Sequence, residues 1–136
     1  MRFLLDTNIL SEIRKPKPHG GVLAWFTVHQ DRCATPAIAL FELQMGVERL
    51  RLQDPERASQ FEFWIERLES ASIVIPFDAI ASREAARLLQ KQPMTLIADA
   101  MIAAIAKVNG LTLATRNTRD FERFKIELVN PFNYRD

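Results

Sequence analysis

The chain has 136 residues, of which 48% are hydrophobic and 26% charged, and its formal net charge is +1. This is the size and composition of one globular domain, so we expect residues 1–136 to form a single domain. A single cysteine excludes an internal disulfide and a cysteine-built zinc site, and no apolar stretch has the length of a membrane span. These features favour a cytoplasmic protein. The near-zero net charge neither requires nor excludes a nucleic-acid partner.

The first residues introduce a pattern that continues along the chain. Phe3, Leu4 and Leu5 predict a buried strand, Asp6 follows directly, and helical spacing of the hydrophobic residues then begins. Short apolar strands and amphipathic helices alternate from there to the end, which predicts a three-layer α/β/α sandwich with a five-stranded, mainly parallel sheet. The predicted strands cover 3–5, 33–35, 73–75, 111–114 and 126–129, and the predicted helices cover 7–13, 22–30, 37–52, 55–69, 79–90 and 96–108.

Three acidic residues stand in unusually apolar surroundings. Asp6 ends the first strand, Glu42 is the one charge within 37–47, and Asp99 is the one polar side chain within 96–106. A buried carboxylate is costly unless it has a cation, a hydrogen-bond network or a route to water. Plainer interpretations remain open: Asp6 can be the N-cap of the next helix, and Glu42 can lie at the edge of its helix and reach solvent.

Asp99 is the strongest of these anomalies. The predicted helix over 96–108 is apolar on every face, so we expect it to be central in the fold. Thr95 is its expected N-cap, which places Asp99 about four residues into the helix, too deep for the acid of a capping box. Asp78, which also follows a predicted strand, has the pattern of an ordinary helix N-cap.

Parallel sheets collect the carboxyl ends of their strands at one edge, where open α/β folds bind ligands. Asp6, Glu42, Asp99 and either Asn117 or Asp120 can therefore line one crevice. Carboxylates a few ångströms apart repel each other unless a cation neutralises them, and Mg²⁺ or Mn²⁺ prefers such oxygen ligands. A divalent ion of this kind polarises a phosphodiester and activates water, which is the chemistry of metal-dependent nucleases.

Other kinds of site fit less well. His19 and His29 are the only histidines, and neither stands beside an acid in the sequence, which argues against zinc and catalytic-triad chemistry. The chain has no glycine-rich phosphate loop. A phospho-accepting receiver module needs an adjacent acid pair after its first strand, an aspartate after its third and a lysine after its fifth, and only Asp78 loosely matches that pattern.

Five segments spread over nearly the whole chain resemble PIN-domain proteins, and the nearest subgroup is the VapC/FitB-type toxins of bacterial type II toxin-antitoxin pairs. The segments are LLDTNILSE at 4–12, FELQMG at 41–46, IADAMIAA at 97–104, ATRNTRDF at 114–121 and NPF at 130–132. The resemblance implies a PIN-like fold and a toxin that is an endoribonuclease. Such an enzyme hydrolyses phosphodiester bonds of single-stranded RNA with Mg²⁺ or Mn²⁺ as its cofactor.

The resemblance also implies roles for individual residues. Asp6, Glu42 and Asp99 match the acidic triad that binds the metal ion, and Thr7 matches a small hydroxyl residue that orients the first acid. Asn117 stands where many members have a fourth acid, so the catalytic set here contains an amide at that position. This departure leaves open a second metal ion, and it keeps a catalytically impaired PIN-like binding module as the alternative function. Asp120 either compensates for the amide or, as we favour, caps the short turn that follows.

The resemblance also implies an RNA substrate and protein partners, which would contact the surface around the site. Arg116 and Arg119 flank its expected mouth, where they either hold RNA phosphates or are simply solvated. A homodimer is implied, with the helical hairpin over 37–69 contributing to it. A cognate antitoxin is implied as well, and one of its arginines would suit a pocket of three carboxylates. Operator DNA would be contacted only through that antitoxin.

Overall fold

The structure is a computed structural model, and it describes residues 1–135. Five short strands alternate with seven α-helices in this part of the chain. None of these helices has the length and apolar character needed to cross a membrane. The strands are β1 (Phe3–Leu5), β2 (Cys33–Pro36), β3 (Ile73–Ile75), β4 (Thr112–Ala114) and β5 (Leu128–Val129). The helices are α1 (Thr7–Arg14), α2 (Gly20–His29), α3 (Ala37–Arg51), α4 (Pro55–Ala71), α5 (Ala79–Leu88), α6 (Ile97–Val108) and α7 (Thr118–Phe121).

The strands form one sheet in the order β3-β2-β1-β4-β5, and every neighbouring pair is parallel. β1 is central: Leu4 is paired with Ala34 of β2 on one side and with Leu113 of β4 on the other. Because all five strands run the same way, their carboxyl ends lie at the same edge. Asp6, directly after β1, therefore lies in the middle of that edge, where its backbone N–H donates to the Ala114 carbonyl at 2.9 Å.

The two faces of the sheet are covered by separate sets of helices. Alternating side chains of β1 divide between the two cores, with Phe3 and Leu5 in one and Leu4 in the other. The first core takes its other members mainly from α1 to α4, and the second from α5, α6 and α7. A parallel sheet is buried on both faces, which explains why most residues of its strands are apolar. The predicted three-layer α/β/α fold with a parallel sheet is confirmed.

Several local predictions need correction. The segment 37–47 is apolar nearly all round, which implies burial on several sides, but Phe41 and Met45 are 63% and 38% exposed. The last strand covers Leu128–Val129 instead of 126–129. In α6, Ala100 and all residues from Ile102 to Ala106 are buried, as the central position predicts.

The predicted N-cap of α6, Thr95, is wrong, and the helix begins one residue later than predicted. A single 3-10 turn over Met94–Leu96 follows Pro93, and the Leu96 N–H donates to the Pro93 carbonyl at 3.0 Å. This turn takes up the residues that were expected to begin the helix, so α6 starts at Ile97 and has no capping by Thr95. Asp99 consequently lies in the first turn of α6, where the positive end of the helix dipole stabilises a negative charge.

Candidate active site

A polar cavity of about 440 Å³ opens at the carboxyl edge of the sheet. Residues from the start of α1, from α3, from α6 and from the segments after β4 and β5 line it. The lining residues are Asp6, Thr7, Asn8, Ser11, Glu12, Lys15, Glu42, Asp99, Arg116, Asn117 and Phe132. A second, mainly apolar cavity of about 560 Å³ includes Trp64 and Leu68 in its lining and has only one carboxylate, Asp31. The acid-lined cavity is therefore the candidate active site.

Asp6 is the most buried of its acids and is only 5% exposed. The Thr115 hydroxyl donates to its Oδ2 at 2.8 Å, the Thr7 N–H donates to its Oδ1 at 2.8 Å, and the Asn8 amide donates to Oδ2 at 3.2 Å. Burial raises the pKa of Asp6 to about 6, the bonds from Thr115 and Thr7 oppose that rise, and neighbouring carboxylates add to it. Asp6 is thus both the N-cap of α1 and a member of the cavity.

Glu42 is half-buried on α3 and is held by a threonine hydroxyl. The Thr7 Oγ1 donates to the Glu42 Oε1 at 2.7 Å, across 35 residues of sequence. Thr7 was expected to orient Asp6, but only its backbone N–H reaches that residue, while its hydroxyl contacts the second acid. One residue at the start of α1 therefore connects the two carboxylates.

Asp99 is half-buried in the first turn of α6. Partial burial raises the pKa of its carboxyl group, and the charges of Glu42 and Asp120 raise it further, whereas Arg123 lowers it. Among residues 1–135, none of Asp6, Glu42 and Asp99 forms a salt bridge. The three acids therefore bring negative charge into one cavity without direct neutralisation by a cationic side chain.

This set of donors has the chemistry of a site for a hard divalent cation, since carboxylate oxygens are the ligands that Mg²⁺ and Mn²⁺ prefer. In the described part of the chain, however, no three acidic, histidine or cysteine side chains stand at the spacing of a ready metal site. Asp6 and Glu42 each contact a threonine hydroxyl instead of converging. Such separation is expected of like charges, which repel one another in a cavity. The carboxylate oxygens are thus the right kind of ligand for the ion. The hydroxyl contacts of Asp6 and Glu42 keep these two carboxylates apart.

Comparison with known proteins identifies the family of this chain. The sequence profile of the PIN domain family matches residues 3–127. The chain belongs to the PIN-domain family. It is 34% identical to VapC ribonuclease Y4jK of Sinorhizobium fredii, over 95% of this chain and 96% of the relative. It is 31% identical to toxin FitB of Neisseria gonorrhoeae, over 96% and 98% of the two chains.

A solved structure supports the same placement. The crystal structure of FitAcB from Neisseria gonorrhoeae superimposes with a TM-score of 0.79 at 31% identity, covering 96% of this chain and 99% of that one. The protein is therefore a PIN domain of the branch that contains the VapC and FitB toxins of toxin-antitoxin systems. The resemblance seen in the sequence motifs is confirmed.

Only some of the residues predicted for the site in the segment after β4 line the cavity of this PIN domain. Asn117 and Arg116 line it, whereas Arg119 and Asp120 lie on α7, are exposed and do not. The preference for Asp120 as the cap is wrong, because Asn117 occupies the N-cap position of α7 and makes no side-chain capping bond. The Asp120 charge acts instead on Asp99, whose pKa it raises.

Two polar residues, Thr115 and Asn8, donate hydrogen bonds to Asp6 and were not predicted as part of the site. Thr115 is fully buried after β4; its hydroxyl donates to Asp6 and accepts from the Asn117 N–H at 3.0 Å. The Asn8 amide lies 3.3 Å from the same hydroxyl, and its carbonyl oxygen accepts from the Arg116 N–H at 3.2 Å. The useful signal would have been the strand order, because a hydroxyl directly after β4 must lie beside an acid directly after β1.

Proposed function

We propose that this PIN domain is the toxin of a type II toxin-antitoxin pair and a Mg²⁺- or Mn²⁺-dependent endoribonuclease that hydrolyses phosphodiester bonds of single-stranded RNA. One observation carries the proposal: Asp6, Glu42 and Asp99 line one cavity at the carboxyl edge of the sheet. The similarity to a VapC relative named as a ribonuclease supports an RNA substrate. The similarity to a relative named as a toxin supports the biological role.

Asp6, Glu42 and Asp99 are the residues that would hold the ion, and Asn117 would add a neutral amide oxygen. When bound, the ion supplies Lewis-acid polarisation of the phosphodiester and a lower pKa for a coordinated water. The threonine hydroxyls on Asp6 and Glu42 keep these carboxylates oriented into the cavity. Because the pKa of Asp6 is raised to about 6, a divalent ion also stabilises its charged form at neutral pH.

The proposed partners follow from two surfaces. The hairpin of α3 and α4 exposes Phe41, Met45 and Phe63, which are 63%, 38% and 61% exposed, and these apolar side chains suit a homodimer contact. The acidic cavity suits an arginine of a cognate antitoxin, which would block it by a charge-assisted hydrogen bond. We place the protein in the cytoplasm with its RNA substrate, and operator DNA would be reached only through the antitoxin.

A cleavage assay tests this function. Purified protein is incubated with labelled single-stranded RNA in Mn²⁺ or in EDTA, beside an Asp99→Asn variant whose folding is checked by circular dichroism. We expect cleavage by the wild type in Mn²⁺, none in EDTA and none by the folded variant, because the variant loses one of three charged oxygen ligands. Full Mn²⁺-dependent cleavage by Asp99→Asn would exclude this site as the catalytic centre.

A second candidate is a catalytically impaired PIN domain that only binds its partner. The amide at Asn117 favours it, as does the lack of a ready three-residue metal site in residues 1–135. This candidate predicts no RNA cleavage by the wild type in either Mn²⁺ or EDTA. The same assay therefore separates the two functions.

A further inference from the structure

The C-terminal turn places an aromatic residue at the candidate active site. Pro131–Asn133 form a single 3-10 turn, and the Asn130 side chain caps it by accepting the Phe132 N–H at 3.0 Å. The turn packs against the start of α2 at Gly21, where a Cβ atom would meet the carbonyl oxygens of Pro131 and Tyr134 at 3.1 Å each. A glycine at this position permits the close approach without a shift of the turn, and the turn contributes Phe132 to the cavity wall.

Phe132 in turn holds Arg116. The guanidinium carbon lies 4.6 Å from the centroid of the Phe132 ring, within the range of a cation-π contact. The His19 ring packs against Phe132 with a centroid distance of 4.9 Å. The Arg116 backbone is also anchored, because its N–H donates to the Asn8 side chain at 3.2 Å. An exposed arginine is thus restrained in both its backbone and its side chain.

Arg116 and Lys15 both line the cavity, but in the described part of the chain only Lys15 has a carboxylate partner. Lys15 Nζ lies 2.9 Å from Glu12 Oε1, so its charge is already neutralised by a carboxylate. Arg116 also lines the cavity, and within residues 1–135 it has no carboxylate at salt-bridge distance. A guanidinium that stacks on a ring face keeps the N–H groups along its edge available for an anion.

A cation at the rim would favour the binding of a nucleic acid. Asp6, Glu42 and Asp99 repel the phosphates of an approaching strand, and a bound divalent ion would offset only two of their three charges. Arginine suits this task because its planar donors match the oxygens of a phosphate. We propose that Phe132 is a positioning residue that holds Arg116 as the phosphate-binding cation for the RNA strand, a role that rests on the proposed ribonuclease function.

The first test measures RNA binding in the absence of catalysis. Binding of a labelled single-stranded RNA is followed by fluorescence anisotropy in EDTA over a series of salt concentrations. We expect Arg116→Gln to raise Kd by about 10-fold and to reduce the magnitude of the slope of log K against log salt by about 0.7, the value for one phosphate contact on a single strand. Arg83→Gln, which changes an exposed arginine on α5 outside the cavity lining, should leave both quantities unchanged.

The second test separates positioning from mere packing. Phe132→Leu keeps an apolar side chain but removes the aromatic face, so we expect Kd in EDTA and KM in Mn²⁺ to rise by about 3-fold with kcat nearly unchanged. Phe132→Tyr keeps the face and should restore both Kd and KM. Thermal unfolding of each variant shows whether the domain remains folded. If Phe132→Leu fails to fold, Arg116→Gln still tests the cation, since it leaves the Phe132 ring in place.

The outcomes distinguish this inference from the proposed function. Normal Mn²⁺-dependent cleavage together with unchanged RNA binding by Arg116→Gln would overturn the inference and leave the ribonuclease intact. RNA binding that depends on Arg116 and Phe132, without any cleavage by the wild type, would support the inference and exclude the enzyme. If Arg116 instead neutralises the acids, Arg116→Gln will change the affinity for Mn²⁺ but not for RNA, and the inference is again wrong.

Discussion

The β1–α1 and β3–α5 junctions each have an N-cap aspartate, but the surroundings of the two aspartates differ. Each consists of a three-residue strand and a helix with an aspartate as its N-cap. Asp6 accepts the Thr7 N–H at 2.8 Å, and Asp78 accepts the Ala81 N–H at 2.9 Å. Asp6 is nevertheless 5% exposed, accepts a further hydrogen bond from the Thr115 hydroxyl and lines the acidic cavity, whereas Asp78 is exposed and outside it.

The difference lies in the position of each strand in the sheet. β1 has β2 on one side and β4 on the other, so the elements that follow them bring Glu42 and Thr115 to Asp6. β3 is an edge strand with a neighbour on one side only, and Asp78 is left with the local capping bond. Strand order therefore decides which of these aspartates lies in the candidate site, and strand order is a property of the fold and not of the adjacent sequence.

The largest expected difference between the two junctions is in RNA cleavage. Asp6→Asn should reduce the rate by about 100-fold or more, because it removes a charge that helps to stabilise the transition state through the ion. Asp78→Asn is the matched control: asparagine caps a helix as well as aspartate does, so the cleavage rate should be unchanged. The measurement is the initial rate on labelled single-stranded RNA in Mn²⁺. An equal loss in both folded variants would contradict the distinction between the junctions.

The two junctions should also differ in their effect on stability. Burial raises the pKa of Asp6 to about 6 from an ordinary value of 3.8. A raised pKa in the folded state means that the unfolded state loses its proton first, so metal-free wild type loses stability as the pH rises from about 4 to about 6. In EDTA at pH 7.5, Asp6→Asn should therefore be more stable than wild type by about 1–2 kcal/mol in urea unfolding. This gain should disappear at pH 4.

The control for that measurement is Asp78→Ala. It removes an ordinary N-cap bond and should lower the free energy of unfolding by about 1 kcal/mol at both pH values. A gain of stability in Asp78→Ala, or a loss in Asp6→Asn at pH 7.5, would show that the two acids are not in the environments described here.

The sequence allowed much of this architecture to be predicted because its main signals are local. Alternating apolar strands and helices predicted the layers, and the isolated acids Glu42 and Asp99 both line the polar cavity at the carboxyl edge of the sheet. Contacts that depend on strand order were missed, since Thr115 meets Asp6 only because β4 lies beside β1. The Thr7 hydroxyl could not be assigned either, because its contact with Glu42 depends on how α3 packs beside α1.

The remaining errors have equally specific causes. The start of α6 was misplaced because the turn over Met94–Leu96 is also helical and its residues suit either conformation. The contact between Arg116 and Phe132 was not predicted because it joins a loop after β4 to the C-terminal turn. The position of that turn depends on the fit against Gly21, which no periodicity in the sequence reveals.

The central claim is that Asp6, Glu42 and Asp99 act together on one divalent ion, and calorimetric titration with Mn²⁺ tests it most directly. We expect wild type and Asp78→Asn to bind Mn²⁺ with the same affinity. We expect Asp6→Asn, Glu42→Gln and Asp99→Asn each to weaken binding by about 10-fold or more, since each removes one charged oxygen ligand. Wild-type affinity for Mn²⁺ in all three variants would contradict the shared site.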